Sequence, residues 1–163
     1  MRSNEPVRVT RTLPLPADTA WELLTDSRNH ERWVPMTRIR TEPPEPTPGG
    51  SVVATSGPFA RRGAPGFVDR MRIDRLDPPT PTTPGVATFT KLGPVLRGSA
   101  ELRVAAVDAT HARVTWVEDV YLAGPVPRRA GAALLGPFLR GMLRLALARA
   151  GREVRKPAQR ITA

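Results

Sequence analysis

The chain has 163 residues, 40% of them hydrophobic, enough to bury a core and to argue for one domain. It contains no cysteine, which excludes disulfides, thiolate nucleophiles and zinc–thiolate sites and suits a reducing compartment. The formal charge of +10 is unevenly spread: from Gly124 onward nine basic residues face a single acid, Glu153. Such an excess hints at an anionic partner, a membrane surface, a nucleic acid or an acidic protein. However, 23 of the 25 basic residues are arginine, as a G+C-rich genome would produce, and a solvated basic helix face would look the same.

Residues 1–12 are polar with no apolar signal core, which predicts no secretory leader and a cytoplasmic protein. Nineteen prolines punctuate the chain, clustering at 43–48, 78–84 and 125–127. Residues 7–15 alternate Val7, Val9, Arg11 and Leu13 with Arg8, Thr10 and Thr12, and read as a strand ended by Pro14 and Pro16. Asp18 offers an N-cap to a short helix with Ala17, Trp21 and Leu24 on one face, and residues 30–33 read as a second helical turn before Pro35. Trp21 and Trp33 are most simply core plugs, although an indole at the end of a short helix can also line a pocket.

Residues 36–41 and Ser51–Ser56 are the second and third strands, separated by a proline-rich loop at 42–50. Residues 57–66 are too rich in glycine and proline for a strand. They read as an exposed, mobile loop with Phe59, Arg61 and Arg62 at its tip. In the fourth strand, 67–76, Phe67, Asp69, Met71 and Ile73 share the apolar face, so Asp69 points inward. Residues 86–92, including Phe89, form the fifth strand, and Gly93-Pro94 a turn. Residues 97–107 form the sixth, with Gly98, Ala100, Leu102 and Val104 inside. In the seventh, Ala112–Leu122, Val114, Trp116, Glu118 and Val120 share a face, which puts Glu118 among apolar neighbours as well.

Residues 127–156 carry the longest helical pattern. Leu135, Phe138, Leu139, Met142, Leu145, Ala146 and Ala150 fall on one broad face, with Arg140, Arg144 and Arg155 opposite. Pro137, after Gly136, either starts a new helix or kinks a longer one. Arg140 and Arg144 interrupt the apolar run, which argues against a bilayer span of about twenty apolar residues and for a soluble amphipathic helix. Arg149 projects within about 40° of the apolar centre. Either its stem packs while its head reaches water, or its charge faces an interior cavity. The order of elements predicts an α+β fold in one domain, 1–163. A curved antiparallel sheet of about seven strands wraps around the long C-terminal helix, with two short helices after strand 1, a core over 7–155 and a basic tail at 156–163. A sheet curled around one helix also predicts an internal cavity.

Several stretches resemble the START-like, or helix-grip, superfamily of the polyketide cyclase/dehydrase and lipid-transport kind. They are the first strand followed by Pro16-Ala17-Asp18-Thr19-Ala20-Trp21, then Trp33-Val34-Pro35, then His111-Ala112-Arg113-Val114-Thr115-Trp116, and the long last helix. The resemblance runs from about Val7 to Val154. It implies a cavity between sheet and helix that takes an apolar or amphipathic small molecule, with the loops at 57–66 and 93–96 closing over its mouth. It carries over no catalytic residue.

Asp69 and Glu118 are the acids that strand alternation places inside. A carboxyl in an apolar pocket has its pKa raised and suits acid–base catalysis. Pairing with an arginine, bonding to backbone, or a bulge turning the side chain outward would each leave it structural. Arg149 or Arg62 would be the counter-ion, or would hold a ligand carboxylate. The candidate ligand-binding set is Trp33, Phe59, Arg62, Met71, Phe89, Trp116, Phe138, Met142 and Arg149. His30 and His111 read as surface residues. No spacing suggests a metal site, no phosphate loop follows a strand, and no cofactor is implied. The basic helix lacks base-stacking aromatics, so no specific nucleic-acid binding is expected. The first functional reading is a monomeric or homodimeric binding protein for a small hydrophobic, lipid- or polyketide-like molecule. The second is a cyclase/dehydratase-type enzyme using Asp69 or Glu118. The third is a peripheral module whose basic C-terminal helix makes weak contact with anionic membrane or acidic protein.

Overall fold

The computed structural model describes residues 5–159, with side chains described through residue 155. Seven strands, β1 (Val7–Leu13), β2 (Thr37–Glu42), β3 (Ser51–Ser56), β4 (Phe67–Asp77), β5 (Gly85–Pro94), β6 (Leu96–Ala106) and β7 (Ala112–Leu122), form one antiparallel sheet. Their order is β1-β7-β6-β5-β4-β3-β2, so β1 and β2 are the edges. Two short helices, α1 (Ala17–Thr25) and α2 (His30–Trp33), follow β1, and a long helix, α3 (Arg128–Gln159), packs chiefly on β7 and β1. This is the α+β helix-grip architecture that the order of elements predicts.

The core is one cluster. Leu13, Val104, Ala112 and Val114 from the sheet meet Trp21, Leu24 and Trp33 from the short helices and Leu143, Leu147 and Ala150 from α3. Period-2 alternation fixes the inward face of β7 and β6 without irregularity, because their register is unbroken from Leu96↔Leu122 to Ala106↔Ala112. The β4–β5 ladder instead slips twice, between Arg70 and Met71 and between Ile73 and Arg75. Gly98 is required where β6 passes β7. Its φ is +124°, and a Cβ there would lie 2.0 Å from the Asp119 carbonyl oxygen.

Several details differ from the sequence reading. α1 begins at Ala17 with Pro16 at the cap position, and Asp18 sits in the first turn, bonding the Thr19 N–H rather than capping the helix. α3 runs without a break through Pro137 and on to Gln159, so residues 156–159 are helical rather than tail; Arg160 to Ala163 lie outside the described residues. By length and composition α3 does reach what a bilayer span requires, despite Arg140 and Arg144. Its buried stripe is Ala132, Leu139, Leu143, Ala146, Leu147 and Ala150, packed within this domain as its core helix. That stripe is rotated from the expected one. Leu143 and Leu147 take its centre, and Leu135, Phe138 and Met142 move to its flank. Residues 57–66 form an exposed loop, as expected, with one helical turn at Ala60–Arg62, where Arg61 donates to the backbone carbonyls of Thr37 (3.2 Å), Val34 (3.3 Å) and Glu31.

Candidate functional site

A cavity of about 350 Å³ lies between the inner face of the sheet and the flank of α3. Its walls are largely apolar. Phe67 and Met71 come from β4, Phe89 from β5, Ala100 and Leu102 from β6, Trp116 and Leu122 from β7, and Leu135, Phe138 and Met142 from α3. Phe138 is 68% exposed and Phe67 42%, which marks the mouth at their end of the sheet. The β3–β4 and β5–β6 turns and the last residue of β7 lie at that same end.

One charged cluster interrupts the apolar lining, which also carries the hydroxyls of Ser27, Thr37 and Ser56. Lys91 on β5 is 5% exposed, and its Nζ donates to Asp69 Oδ2 on β4 at 2.6 Å. The same Nζ lies 3.5 Å from Glu118 Oε2 on β7 and 3.5 Å from Met71 Sδ. The ladder explains the meeting. The slip after Arg70 passes over Leu92 and pairs Lys91 with Met71, next to Asp69. On the other side β6 presents only Gly98 and Ala100, opposite Lys91 and Glu118 respectively. Strands two apart in a sheet are about 10 Å from one another. A long lysine stem can bridge that gap only because β6 puts nothing bulky in the way.

Burial disfavours the charged form of Lys91, but Glu118 and Asp69 together outweigh it and hold the ammonium above its usual range. Burial pushes the Glu118 carboxyl above the usual carboxylate range. Lys91 pulls it back, and the Asp69 charge adds to the rise. Asp69 Oδ1 and Glu118 Oε2 are buried with no hydrogen-bond partner.

His30 also lines the cavity, which corrects its reading as a surface residue. Its ring lies 5.3 Å from that of Trp33 and 5.2 Å from that of Trp116, and Nε2 bonds the Leu24 carbonyl at 2.8 Å. That bond requires the proton on Nε2. Burial pushes the imidazole below its usual value, so it is neutral near pH 7. His111 is half-exposed in the β6–β7 turn beside Asp108, as expected.

Of the candidate residues, Asp69, Glu118, Met71, Phe89, Trp116, Phe138 and Met142 line the cavity. Four do not. Trp33 is buried in the core and ties α2 to α3: its Nε1 donates to Glu153 at 2.8 Å, while its carbonyl accepts from Arg149 at 3.1 Å. That bond is where the Arg149 charge goes, so it faces neither the cavity nor a carboxylate there. Phe59 is 67% exposed at the tip of the 57–66 loop, with the Arg62 guanidinium 5.7 Å from its ring centre. The counter-ion expected from Arg149 or Arg62 is supplied by Lys91. The sequence carries a signal for it, because Lys91 shares strand parity with Phe89.

A curved antiparallel sheet gripping one long helix, with an apolar cavity between them, defines the START-like class of fold. Residues 6–155 match the model of the family described as polyketide cyclase/dehydrase and lipid transport, and the chain belongs to that family. No curated protein matches it. Among solved structures, it is similar to the di-domain ARO/CYC BexL from the BE-7585A biosynthetic pathway, at 19% identity and a TM-score of 0.66. That match covers 95% of this chain and 47% of BexL, so the chain spans about half of the larger protein. The Zhui aromatase/cyclase from a Streptomyces species is 22% identical over 97% of this chain and 95% of its own, with a TM-score of 0.58. A norcoclaurine synthase point mutant from Thalictrum is 10% identical over 94% and 96%, with a TM-score of 0.62. These likenesses show the shared fold.

Proposed function

We propose that this protein binds a small, predominantly apolar molecule in the cavity between sheet and α3, with the molecule's polar end at Lys91, Asp69 and Glu118. The observation that carries this reading is the lining: predominantly apolar, with a few hydroxyls and His30, and one buried charged cluster at its wall. Apolar burial supplies affinity, at about 25 cal/mol per Å² removed from water, and the cluster supplies orientation. Native mass spectrometry of protein purified without detergent, followed by solvent extraction, tests it. A stoichiometric apolar molecule is the expected result. Failure to retain or take up any such molecule would sink the reading.

A second reading is an enzyme of the cyclase/dehydratase type, without a cofactor. It draws support from a carboxyl whose pKa burial raises, Glu118, beside an ammonium donor in the same cavity. Loss of water from a β-hydroxy ketone is the simplest reaction for such a pair. Asp69 takes the proton from the carbon between the two oxygenated carbons, and Glu118 protonates the departing hydroxyl. Water and a conjugated enone result, with Lys91 bonded to the ketone oxygen. An aryl β-hydroxy ketone assayed for enone absorbance tests this reading. Glu118→Gln should abolish turnover while leaving binding intact; turnover unchanged in Glu118→Gln would refute Glu118 as the acid.

A further inference from the structure

We propose that the cavity selects a ligand whose polar end is a hydrogen-bond donor, a hydroxyl or an ammonium on a flat apolar body, and rejects carboxylates and other anions. This rests on the reading of the cavity as a ligand site. It goes further, because an amphipathic ligand in a chain of charge +10 would ordinarily be expected to be anionic.

The charges inside run against the charge outside. Among the described residues no arginine lines the cavity; Lys91 is its one cation, against the carboxyls of Asp69 and Glu118. With both carboxyls ionised the cluster sums to −1, and with Glu118 protonated it sums to zero. In neither state is it positive. The ammonium is also already engaged: Nζ bonds Asp69 and Met71 and lies at ion-pair distance from Glu118. An incoming carboxylate would have to compete for Lys91 while sitting beside two groups of its own sign, and like-charge contact in a low-dielectric interior is strongly unfavourable.

What the cluster lacks is donors. Asp69 Oδ1 is a buried acceptor without a hydrogen-bond partner, Glu118 Oε2 has only the Lys91 ammonium at 3.5 Å, and both residues line the cavity. An unsatisfied buried acceptor is costly, and a hydroxyl or ammonium from the ligand removes that cost. His30, with its proton committed to the Leu24 carbonyl, leaves Nδ1 as a further acceptor rather than a donor. The aromatic faces of Phe67, Phe89 and Trp116 suit a flat ring body, and would also favour an ammonium through cation–π attraction.

The test is isothermal titration of the natural chain with four ligands built on one bicyclic body: 2-naphthol, 2-naphthylmethylammonium, 2-naphthoate and 2-methylnaphthalene. Both donors are expected to bind at least about tenfold more tightly than naphthoate, a difference of about 1.4 kcal/mol. The two donor arms separate hydroxyl from ammonium selection. Naphthoate binding as tightly as either donor overturns the donor inference while leaving the cavity as a ligand site. Binding by none of the four, the hydrocarbon included, overturns the cavity reading and the inference with it. Glu118→Gln, which keeps the Lys91–Asp69 pair, should narrow the gap between naphthoate and naphthol; a gap unchanged or widened would count against the charge argument.

Discussion

Replacing Lys91 with methionine keeps the volume of the side chain and removes its charge, which isolates what the ammonium does. Its two carboxylate neighbours would then share an apolar cavity without a cation. Breaking a buried pair by removing one partner costs about 3–5 kcal/mol, and Lys91 is engaged by Asp69 at 2.6 Å and Glu118 at 3.5 Å. The loss depends on pH, and its sign follows from Glu118. Burial and the Asp69 charge already raise that carboxyl, and without Lys91 to pull it back the folded-state value rises further. A carboxyl with a raised folded-state pKa contributes most below its unfolded value and loses that contribution as pH rises through the folded value. The slope is at most about 1.4 kcal/mol per pH unit. Urea unfolding of Lys91→Met at pH 5 and pH 8 should therefore show a deficit near 3 kcal/mol or more at pH 8, and a smaller one at pH 5. Glu118→Gln in the same background should recover much of the pH 8 loss. Equal stability of Lys91→Met and the natural chain at pH 8, with no slope, would refute the argument. Converting Lys91, Asp69 and Glu118 all to apolar residues of similar size should be neutral or stabilising. That result would leave binding or chemistry, rather than stability, as the role of the cluster.

His30 gives an opposite dependence. Its folded-state pKa is lowered by burial, so its contribution is present above the unfolded value near 6.5 and is lost as pH falls below it. Urea midpoints should drop between pH 7 and pH 5, and His30→Gln should flatten part of that slope. Gly98→Ala would place a methyl group 2.0 Å from the Asp119 carbonyl at a positive φ. A cost above about 3 kcal/mol is expected from strain and displaced backbone, read as a lower thermal midpoint or loss of soluble protein. The outer face of α3 exposes Arg129, Arg140, Arg144, Arg152 and Arg155. Weak co-sedimentation with phosphatidylserine-rich vesicles that disappears on adding salt is expected, and absence of binding at low salt would remove the membrane-contact proposal.

The architecture was legible because each strand carries its own alternation and α3 its own periodicity. The same local rules put Asp69 and Glu118 inside correctly. They failed where one element's placement depends on another. The Lys91 contacts follow from a slip in the β4–β5 ladder and from small residues on β6, neither of which is visible within β5 itself. α2 is one turn long, too short for periodicity to show that His30 turns toward Trp116. On α3 the apolar residues span a face wider than the contact, so the pattern alone did not separate the stripe packed on β7 and β1, centred on Leu143 and Leu147, from the flank facing the cavity.

The charged cluster draws its three members from β4, β5 and β7, which are brought together only when β6 is paired on both sides. No single hairpin completes it. The Lys91–Asp69 pair lies within the β4–β5 hairpin, but a hydrated pair gains little, and Glu118 joins it only once the sheet is assembled. The complete three-member cluster is thus expected to form late in folding. Substitutions in it should act on how fast the protein comes apart and leave the refolding rate almost unchanged. The polar feature proposed to select the ligand is thus also the part of the sheet expected to be completed last.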